Sequence, residues 1–271
     1  MRIALTVAGS DSGGGAGIQA DLKTFHQFGV FGTSVIAAVT AQNTKGVAAW
    51  EPVSDALIAR QLDALAQDLP PDGIKTGMLG SRAAIETVAA ALQRMPTKPY
   101  VLDPVLVATS GHALADETAA AAMVEHLVPL ATLVTPNLDE AARLTGLEVT
   151  TAEQMERAGR ALLKRGTAAA LIKGGHLEGD AVIDVLVRPE GVRRFLHPRI
   201  ATSSTHGTGC TLSAAITAGL ALGRNLERSV EDGIDFVQRA IAAAPGLGAG
   251  KGPVNHFVPV PRGAPNDLLG G

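Results

Sequence analysis

The chain of 271 residues carries a formal net charge of −3, with 46% hydrophobic and 18% charged residues. This balance is typical of a globular protein with a full core and excludes an intrinsically disordered chain. Because the sequence contains no long basic run, it disfavours nucleic acid or an anionic membrane surface as a main partner.

The N-terminal residues and the cysteine content bear on the location of the protein. The chain begins with a short apolar run that lacks the layout of a signal peptide. No apolar stretch is long enough to span a bilayer. The single cysteine, Cys210, has no partner for an intramolecular disulfide. We therefore expect a cytoplasmic protein that does not contact a membrane.

Short apolar runs alternate with longer stretches of helical periodicity along the chain. The pattern predicts strands at residues 3–7, 33–40, 100–102, 132–135 and 168–172, and a hairpin of residues 182–187 and 192–195. It predicts helices at residues 18–28, 81–95, 116–130, 211–222 and 227–243. A further helix reaches about Lys164, with Thr151 and Gln154 as its capping box. The alternation predicts an α/β fold with a mostly parallel central sheet and helices on both faces. We expect one domain over residues 1–260 and a loose tail over residues 261–271.

Polar and glycine residues follow the ends of several predicted strands. They are the Gly9 loop, Gln42, Asp103, Asn137 and Lys173. Ligands of such sheets bind at the carboxyl ends of the strands, so these residues predict a binding site.

Residues 9–17 form a glycine-rich segment between a predicted strand and a predicted helix, where backbone amides can cradle an anion. The spacing is not that of a dinucleotide fingerprint, because Ile18 stands at the position of the last glycine. A Walker A loop is also absent at Lys251, since Gly252 follows it in place of Ser or Thr. A flexible turn remains the alternative.

A second glycine-rich segment, residues 206–210, precedes the helix predicted from residue 211. Free N–H groups of Gly207, Thr208 and Gly209 would converge at a helix N-terminus, which suits an anion hole for a transferring phosphoryl group. Cys210 would lie in the first turn, where the pKa of a thiol tends to fall. The alternative is an inert buried cysteine.

Four polar residues at strand ends have oxygen or ammonium groups suited to a nucleotide and its metal. Asn137 and Glu140 stand three apart at a helix start and could hold a hydrated Mg²⁺, or they could be an N-cap and a solvated carboxylate. Lys173 could reach a triphosphate as a point charge or belong to a turn. Asp103 could face the metal or be structural.

Together these segments resemble the hydroxymethylpyrimidine/phosphomethylpyrimidine kinase family, within the ribokinase-like superfamily. The matching segments are residues 8–11 with 17–24, 40–44, 75–79, 103–105, 135–137 with Glu140, 173–176, 205–213 and 252–257. The resemblance spans roughly residues 3 to 257. One departure lies at residues 12–15, Ser-Gly-Gly-Gly, where many members have Pro-Ser-Gly-Gly; this could change the stiffness of the loop.

The resemblance implies a three-layer α/β/α sandwich that is commonly a homodimer. It implies ATP-dependent phosphorylation of 4-amino-5-hydroxymethyl-2-methylpyrimidine to its monophosphate and then its diphosphate, in thiamine biosynthesis. The implied pyrimidine-binding residues are Gly9, Asp21, Gln42, Met78 and Val105. The implied ATP-binding residues are Lys173, Asn137, Thr208 and Gly209, with Mg²⁺ toward Asp103, Asn137 and Glu140. The implied catalytic residues are Cys210, Gly207, Thr208 and Gly209.

Three other functions stay open at this point. A pyridoxine or pyridoxal kinase has the same fold and a similar flat substrate with a hydroxymethyl arm. A sugar kinase is disfavoured by Cys210, which stands where sugar kinases carry an aspartate base, and by the Gln42 segment. A non-catalytic ligand sensor would need an effector module, for which 271 residues leave no room outside the kinase-like span.

Overall fold

The computed structural model describes residues 1–96, 98–106, 117–175 and 179–260, and one β-sheet runs through them. Its strands are β1 (Ile3–Asp11), β2 (Phe31–Asn43), β3 (Gly46–Pro52), β4 (Gly73–Thr76), β5 (Tyr100–Leu102), β6 (Leu133–Val134), β7 (Ala170–Ile172), β8 (Ala181–Arg188) and β9 (Gly191–Pro198). They lie in the order β3-β2-β1-β4-β5-β6-β7-β8-β9. Neighbours from β2 to β7 run parallel, and the pairs β2–β3, β7–β8 and β8–β9 are antiparallel. The predicted mostly parallel sheet is confirmed.

Helices cover both faces of this sheet. They are α1 (Gly17–Gln27), α2 (Asp55–Asp68), α3 (Arg82–Arg94), α4 (Glu117–Ala122), α5 (Leu138–Thr145), α6 (Ala152–Leu163), α7 (Thr208–Ala221) and α8 (Leu226–Ala242). Side chains from α2 to α6 pack in one apolar cluster with one face of the sheet, and α1, α7 and α8 pack on the other. Successive residues of a strand pack on opposite faces of the sheet, as Leu102 and Val101 of β5 do. The three-layer α/β/α architecture is therefore confirmed.

Several element boundaries differ from the sequence-based expectation. Strand β1 continues past Val7 to Asp11 because β2 pairs with it over that whole length, so Gly9 lies in the strand and not in the following loop. Helix α7 begins three residues earlier than predicted, after Gly207, whose φ of 82° ends the preceding segment. The helix predicted over residues 116–130 continues past α4 as a π turn (Met123–Leu127) and a 3₁₀ turn (Val128–Leu130), while Asp116 lies outside the described residues.

Three elements were absent from the sequence-based prediction: β3, α2 and β4. Helix α2 buries only Ile58 and Leu62 fully, so its apolar periodicity is weak. Strand β4 is four residues long and buried on both faces, which removes the alternation that marks a strand.

Among the described residues, no helix is both long enough and apolar enough to cross a bilayer. The tail expected over residues 261–271 lies outside the described residues, and the single domain over residues 1–260 stays a prediction.

Candidate active site

A cavity of about 730 Å³ extends along the carboxyl ends of the parallel strands. This volume is in the range of sites that bind small molecules. The cavity is lined by twelve of the thirteen predicted site residues: Gly9, Gln42, Met78, Asp103, Val105, Asn137, Glu140, Lys173, Gly207, Thr208, Gly209 and Cys210. Segments more than 190 residues apart in sequence therefore meet at one edge of the sheet.

One end of the cavity has an apolar wall. Met78 packs in a small cluster with Ala38, Trp50 and Val105. A Cβ atom on Gly9 would lie 3.2 Å from Met78 Sδ, so the glycine keeps the backbone of β1 close to this wall. The wall suits one face of a flat ring.

Asp11 organises the first glycine-rich segment. Its carboxylate accepts hydrogen bonds from the backbone N–H groups of Gly13 (2.8 Å), Gly15 (3.0 Å) and Ala16 (2.9 Å). Burial alone would raise the pKa of Asp11, but the hydrogen bonds from His206 and these amides hold that pKa below its usual value. The anion that these amides bind is thus the side chain of Asp11, and the expected open anion cradle is not found here.

Ser12, which departs from the usual Pro of the resembled family, ties this segment to β2. Its hydroxyl donates to the Gln42 carbonyl at 2.7 Å and accepts from the Gln42 N–H at 2.8 Å. A proline could make neither bond, because its side chain has no hydroxyl. The serine therefore restrains the loop through side-chain hydrogen bonds.

The terminal amide of Gln42 lies 3.2 Å from Nε2 of His206, which in turn lies 2.8 Å from Asp11 Oδ2. Because a carboxylate only accepts, His206 Nε2 carries a hydrogen, and Gln42 must meet it with its oxygen. The Gln42 amide nitrogen then faces Thr40 Oγ1, whose own hydrogen is donated to the Ser10 carbonyl at 3.0 Å. Gln42 keeps one N–H to offer to a ligand in the cavity.

Asp21 is the predicted site residue that does not line the cavity. Its carboxylate is fully buried and accepts from Lys75 Nζ at 2.7 and 2.8 Å and from Thr6 Oγ1 at 2.6 Å. Lys75 lines the cavity in its place. Burial would lower the pKa of Lys75, but the adjacent Asp21 carboxylate raises it overall, so the ammonium stays charged.

Lys75 was missed as a site residue, although it lies in one of the segments that carry the family resemblance. A lysine inside an apolar strand followed by Thr-Gly was the available signal.

The N-terminus of α7 lies in the middle of the cavity. Its first intrahelical bond runs from Thr211 N–H to the Gly207 carbonyl, so the preceding N–H groups are not used by that bond. A Cβ atom on Gly209 would lie 3.2 Å from Lys173 Nζ, which places the ammonium beside the helix start. The helix dipole, the N–H groups of the first turn and the Lys173 ammonium are thus suited to an anion, although the Thr208 N–H also reaches the Thr205 carbonyl at 3.5 Å.

Cys210 lies in this first helical turn, where we expected a lowered thiol pKa. Burial instead raises the pKa of the thiol to about 11, against the opposing attraction of Lys75 and a hydrogen bond from the Gly17 N–H. The expectation was wrong because the loss of hydration of the thiolate outweighs these favourable interactions.

Two buried carboxyl groups flank Lys173. Its Nζ lies 3.2 Å from Asp103 Oδ1 and 3.9 Å from Glu140 Oε2. Asp103 also accepts from Ser213 Oγ at 3.1 Å. Burial and then the nearby Asp103 charge raise the pKa of Glu140 to about 7, although Lys173 opposes the shift. The site therefore carries more carboxyl groups than its ammonium neutralises.

Asn137 is the N-cap of α5, as one of the two alternatives had it, but Glu140 is buried and not solvated, and the two residues form a capping box. Asn137 Oδ1 accepts from the Glu140 N–H at 2.9 Å, and Glu140 Oε2 accepts from the Asn137 N–H at 2.8 Å. Within the described ranges no three His, Cys, Asp or Glu side chains have the arrangement of a metal site. The oxygen donors and uncompensated carboxyl groups nevertheless fit Mg²⁺, which takes few protein ligands and keeps most of its waters.

The opposite end of the cavity lies between the hairpin β8–β9 and helix α8. Apolar side chains of Val182, Val237 and Ile241 line it together with Asp184, His197 and Gln238. Sequence analysis named none of these residues, because nothing in the periodicity of a hairpin or an amphipathic helix marks which side chains face a ligand.

Comparisons with known proteins agree on one family. Residues 11–255 match the model of the family described as phosphomethylpyrimidine kinase. The chain is 50% identical over 258 residues to a hydroxymethylpyrimidine/phosphomethylpyrimidine kinase of Rhizobium meliloti, covering 94% of this chain and 97% of that protein. It is 48% identical over 254 residues to the thiamine biosynthesis bifunctional protein ThiED of Geobacter sulfurreducens, covering 94% of this chain and 52% of that protein.

A solved structure of pyridoxal kinase from Staphylococcus aureus, in complex with AMP-PCP and pyridoxal, has the same fold. It superposes with a TM-score of 0.88 at 32% identity, covering 94% of this chain and 93% of that one.

Proposed function

The chain belongs to the phosphomethylpyrimidine kinase family, and we propose that it transfers the γ-phosphoryl group of ATP to 4-amino-5-hydroxymethyl-2-methylpyrimidine and then to the resulting monophosphate. These two steps supply the pyrimidine diphosphate for thiamine biosynthesis. The observation that carries the proposal is the cavity itself: a flat apolar pocket with a polar amide at one end, and a phosphoryl site at the α7 N-terminus in the middle.

We assign the acceptor pocket to Gly9, Gln42, Met78 and Val105. The pyrimidine ring lies against the apolar wall, and Gln42 meets the polar edge of the ring. Asp21 contributes indirectly, since its carboxylate holds Lys75 at the cavity floor.

Cys210 is the proposed general base for the first step, in which the attacking hydroxymethyl group must lose a proton. A thiol with a pKa of about 11 is mostly protonated at neutral pH, so it needs support to act as a base. Lys75, Lys173 and the Gly17 N–H favour its thiolate. In the second step the acceptor is a phosphate oxygen that is already ionised near neutral pH, and a base is not needed.

Lys173 and the N–H groups of Gly207, Thr208 and Gly209 stabilise the charge on the transferring phosphoryl group in both steps. Catalysis of this transfer depends mainly on positioning and on charge stabilisation. Asp103, Asn137 and Glu140 would hold Mg²⁺ largely through water, and the ion would neutralise phosphate charge.

Pyridoxal kinase activity is the second candidate, and the fold of the S. aureus enzyme favours it as an additional activity. Purified protein with Mg-ATP should be assayed with the hydroxymethylpyrimidine, its monophosphate, pyridoxal and ribose, with ADP release and products measured. We expect kcat/KM to be higher for the pyrimidine than for pyridoxal. Turnover of ribose with none of the pyrimidine would overturn the proposal.

A further inference from the structure

The buried ammonium of Lys75 lies at the floor of the cavity with one hydrogen unused. Two of its three hydrogens are directed at the Asp21 carboxylate, with Nζ 2.7 Å from Oδ1 and 2.8 Å from Oδ2. The third hydrogen has no acceptor among the described residues. Because an unpaired donor on a buried charged group costs free energy, such groups normally use all of their hydrogens. Lys75 therefore has one hydrogen to offer to a ligand in the cavity.

Gly77 leaves space between the cavity and this ammonium. It lines the cavity, and a Cβ atom on it would lie 3.4 Å from Lys75 Nζ and 3.2 Å from the Cβ atom of Ala8. Its backbone does not require a glycine, because its φ is not positive. Any other residue would place carbon beside the ammonium, so the glycine keeps Nζ within reach of a ligand.

Lys75 lies where the acceptor pocket meets the phosphoryl site. It belongs to the same chain segment as Met78, which forms part of the apolar wall of the pocket. Its ammonium also interacts electrostatically with Cys210 and Asp103, which border the phosphoryl site. A cation in this position is close to the group of the acceptor that reacts.

The two acceptors of the proposed function differ in charge at that reacting group. The hydroxymethyl group of the first acceptor is neutral, whereas the phosphate of the second carries about −1.5 to −2 charges near neutral pH. The attacking oxygen must occupy the same place in both steps, because the γ-phosphoryl group and the α7 N-terminus are the same. The phosphate of the second acceptor therefore enters beside Cys210, next to the phosphates of the donor.

We propose that Lys75 binds the phosphate of the monophosphate acceptor, and so acts on the second acceptor in a way that it does not act on the first. The inference rests on the proposed function. The third hydrogen of the ammonium donates to a phosphate oxygen, and the positive charge offsets the repulsion between the two sets of phosphates. The neutral pyrimidine has no charge for Lys75 to pair with. The support that Lys75 gives to the Cys210 thiolate concerns the rate of the first step and not the affinity for the pyrimidine.

Four other Lys or Arg side chains line the cavity among the described residues. Lys173 lies at the phosphoryl site between two carboxyl groups. Arg143 on α5 and Arg199 after β9 follow strands on the other side of the sheet from β1 and β2, which carry the acceptor pocket. The exposed Lys251 is the alternative to Lys75, because its N–H binds the Thr44 carbonyl at the end of β2. The experiment must therefore separate these two lysines.

The test is calorimetric titration of the full chain with the pyrimidine and with its monophosphate, without ATP or Mg²⁺. The variant Asp21→Leu/Lys75→Met replaces the buried ion pair with apolar side chains of similar volume, which proteins often tolerate. The ratio of monophosphate affinity to pyrimidine affinity should fall by about 10- to 150-fold, as expected for the loss of a hydrogen bond to a charged group. Lys164→Met, the same substitution at an exposed lysine after α6, is the matched control and should keep the wild-type ratio.

A second variant leaves the ion pair in place. Gly77→Ala puts a methyl group beside Lys75 Nζ and should lower the same ratio; if the double variant does not fold, this variant decides. An unchanged ratio in the folded double variant would overturn the proposal, as would a fall in Lys251→Gln alone. A wild-type chain that binds neither compound would refute the proposed function and this inference with it, whereas binding of both with an unchanged ratio refutes only the role of Lys75.

Discussion

At the residue scale, the polar edge of the acceptor pocket depends on one amide. Replacing Gln42 with Leu keeps similar bulk but leaves the polar ring atoms of the pyrimidine unpaired. A lost buried hydrogen bond costs about 1–3 kcal/mol, which corresponds to a fall of roughly 5- to 150-fold in kcat/KM for the pyrimidine. The KM for ATP should barely change. Steady-state kinetics with each substrate varied in turn checks this, and an equal loss for both substrates would remove Gln42 from the pocket.

The role of Cys210 can be tested in one variant, because each of the two phosphorylation steps is the experimental control for the other. Cys210→Ala is a small change in a closely packed helix start and should leave the fold intact. Loss of a positioned base typically costs about 10²–10⁴-fold, so formation of the monophosphate should nearly cease. Formation of the diphosphate from supplied monophosphate should be largely spared. Single-turnover kinetics on each substrate measures both, and an equal effect on the two steps would make the cysteine structural.

The buried side chain of His256 should make the stability of the folded protein sensitive to acid. It is 7% exposed, lies 3.0 Å from Thr211 Oγ1 at the start of α7, and burial lowers its pKa from 6.5 to about 4. A histidine with a depressed folded-state pKa binds its proton more weakly when folded. The free energy of unfolding is therefore highest above pH 6.5, where His256 is neutral in both states, and it falls as pH falls toward 4. The pKa shift of His256 corresponds to a loss on the order of 3 kcal/mol in the free energy of unfolding.

The variant His256→Gln retains a hydrogen-bonding side chain but cannot take up a proton. Its Tm should fall less than that of the wild type between pH 7 and pH 4.5, as measured by thermal denaturation in matched buffers. Parallel curves for the two proteins would show that His256 does not contribute to acid sensitivity.

At the element scale, the start of α7 serves both chemical steps, in contrast to Cys210 alone. A side chain at Gly209 would meet Lys173 Nζ at 3.2 Å from its Cβ and fill the phosphoryl site. We expect Gly209→Val to lower the rates of both steps together, since each transfers the same γ-phosphoryl group. The comparison with Cys210→Ala under the same single-turnover conditions is the check. A loss confined to one step would contradict an anion hole shared by both.

Local sequence signals predicted many elements well. The capping box of Thr151 and Gln154 starts α6 as expected, with both reciprocal bonds formed. The hairpin β8–β9 was predicted from its turn and its β-rich flanks. These features are local, so tertiary packing had little to change. Strand β4 was missed because it is buried on both faces, which removes the alternation of apolar and polar residues. Helix α2 was missed because it buries few side chains, which leaves its apolar periodicity weak.

At the scale of the whole molecule, the oligomeric state is a prediction that rests on the family resemblance. Large apolar side chains of Phe31, Val39 and Leu57 on β2 and α2 are about half exposed, which leaves apolar surface for a second copy. Sedimentation equilibrium should yield twice the chain mass of 27.6 kDa. A monomer at micromolar concentration would contradict this expectation.

The sequence by itself determined the fold class, the family and twelve of the residues that line the cavity. Strand–helix alternation is a local property, and ligand-binding residues of a parallel sheet fall predictably after its strands. Twelve of the thirteen site residues, predicted from strand ends, a helix start and the family resemblance, meet in one cavity.

Only the tertiary structure decided what each group is bonded to. Asp21 lies behind Lys75, Asp11 occupies the amides of its own loop, and burial raises the pKa of Cys210 where its helical position alone suggested a fall. The same holds for His197, which lies between the side chains of Asp184 and Gln238. Desolvation and hydrogen-bond direction depend on neighbours from distant parts of the chain, and a linear pattern contains neither.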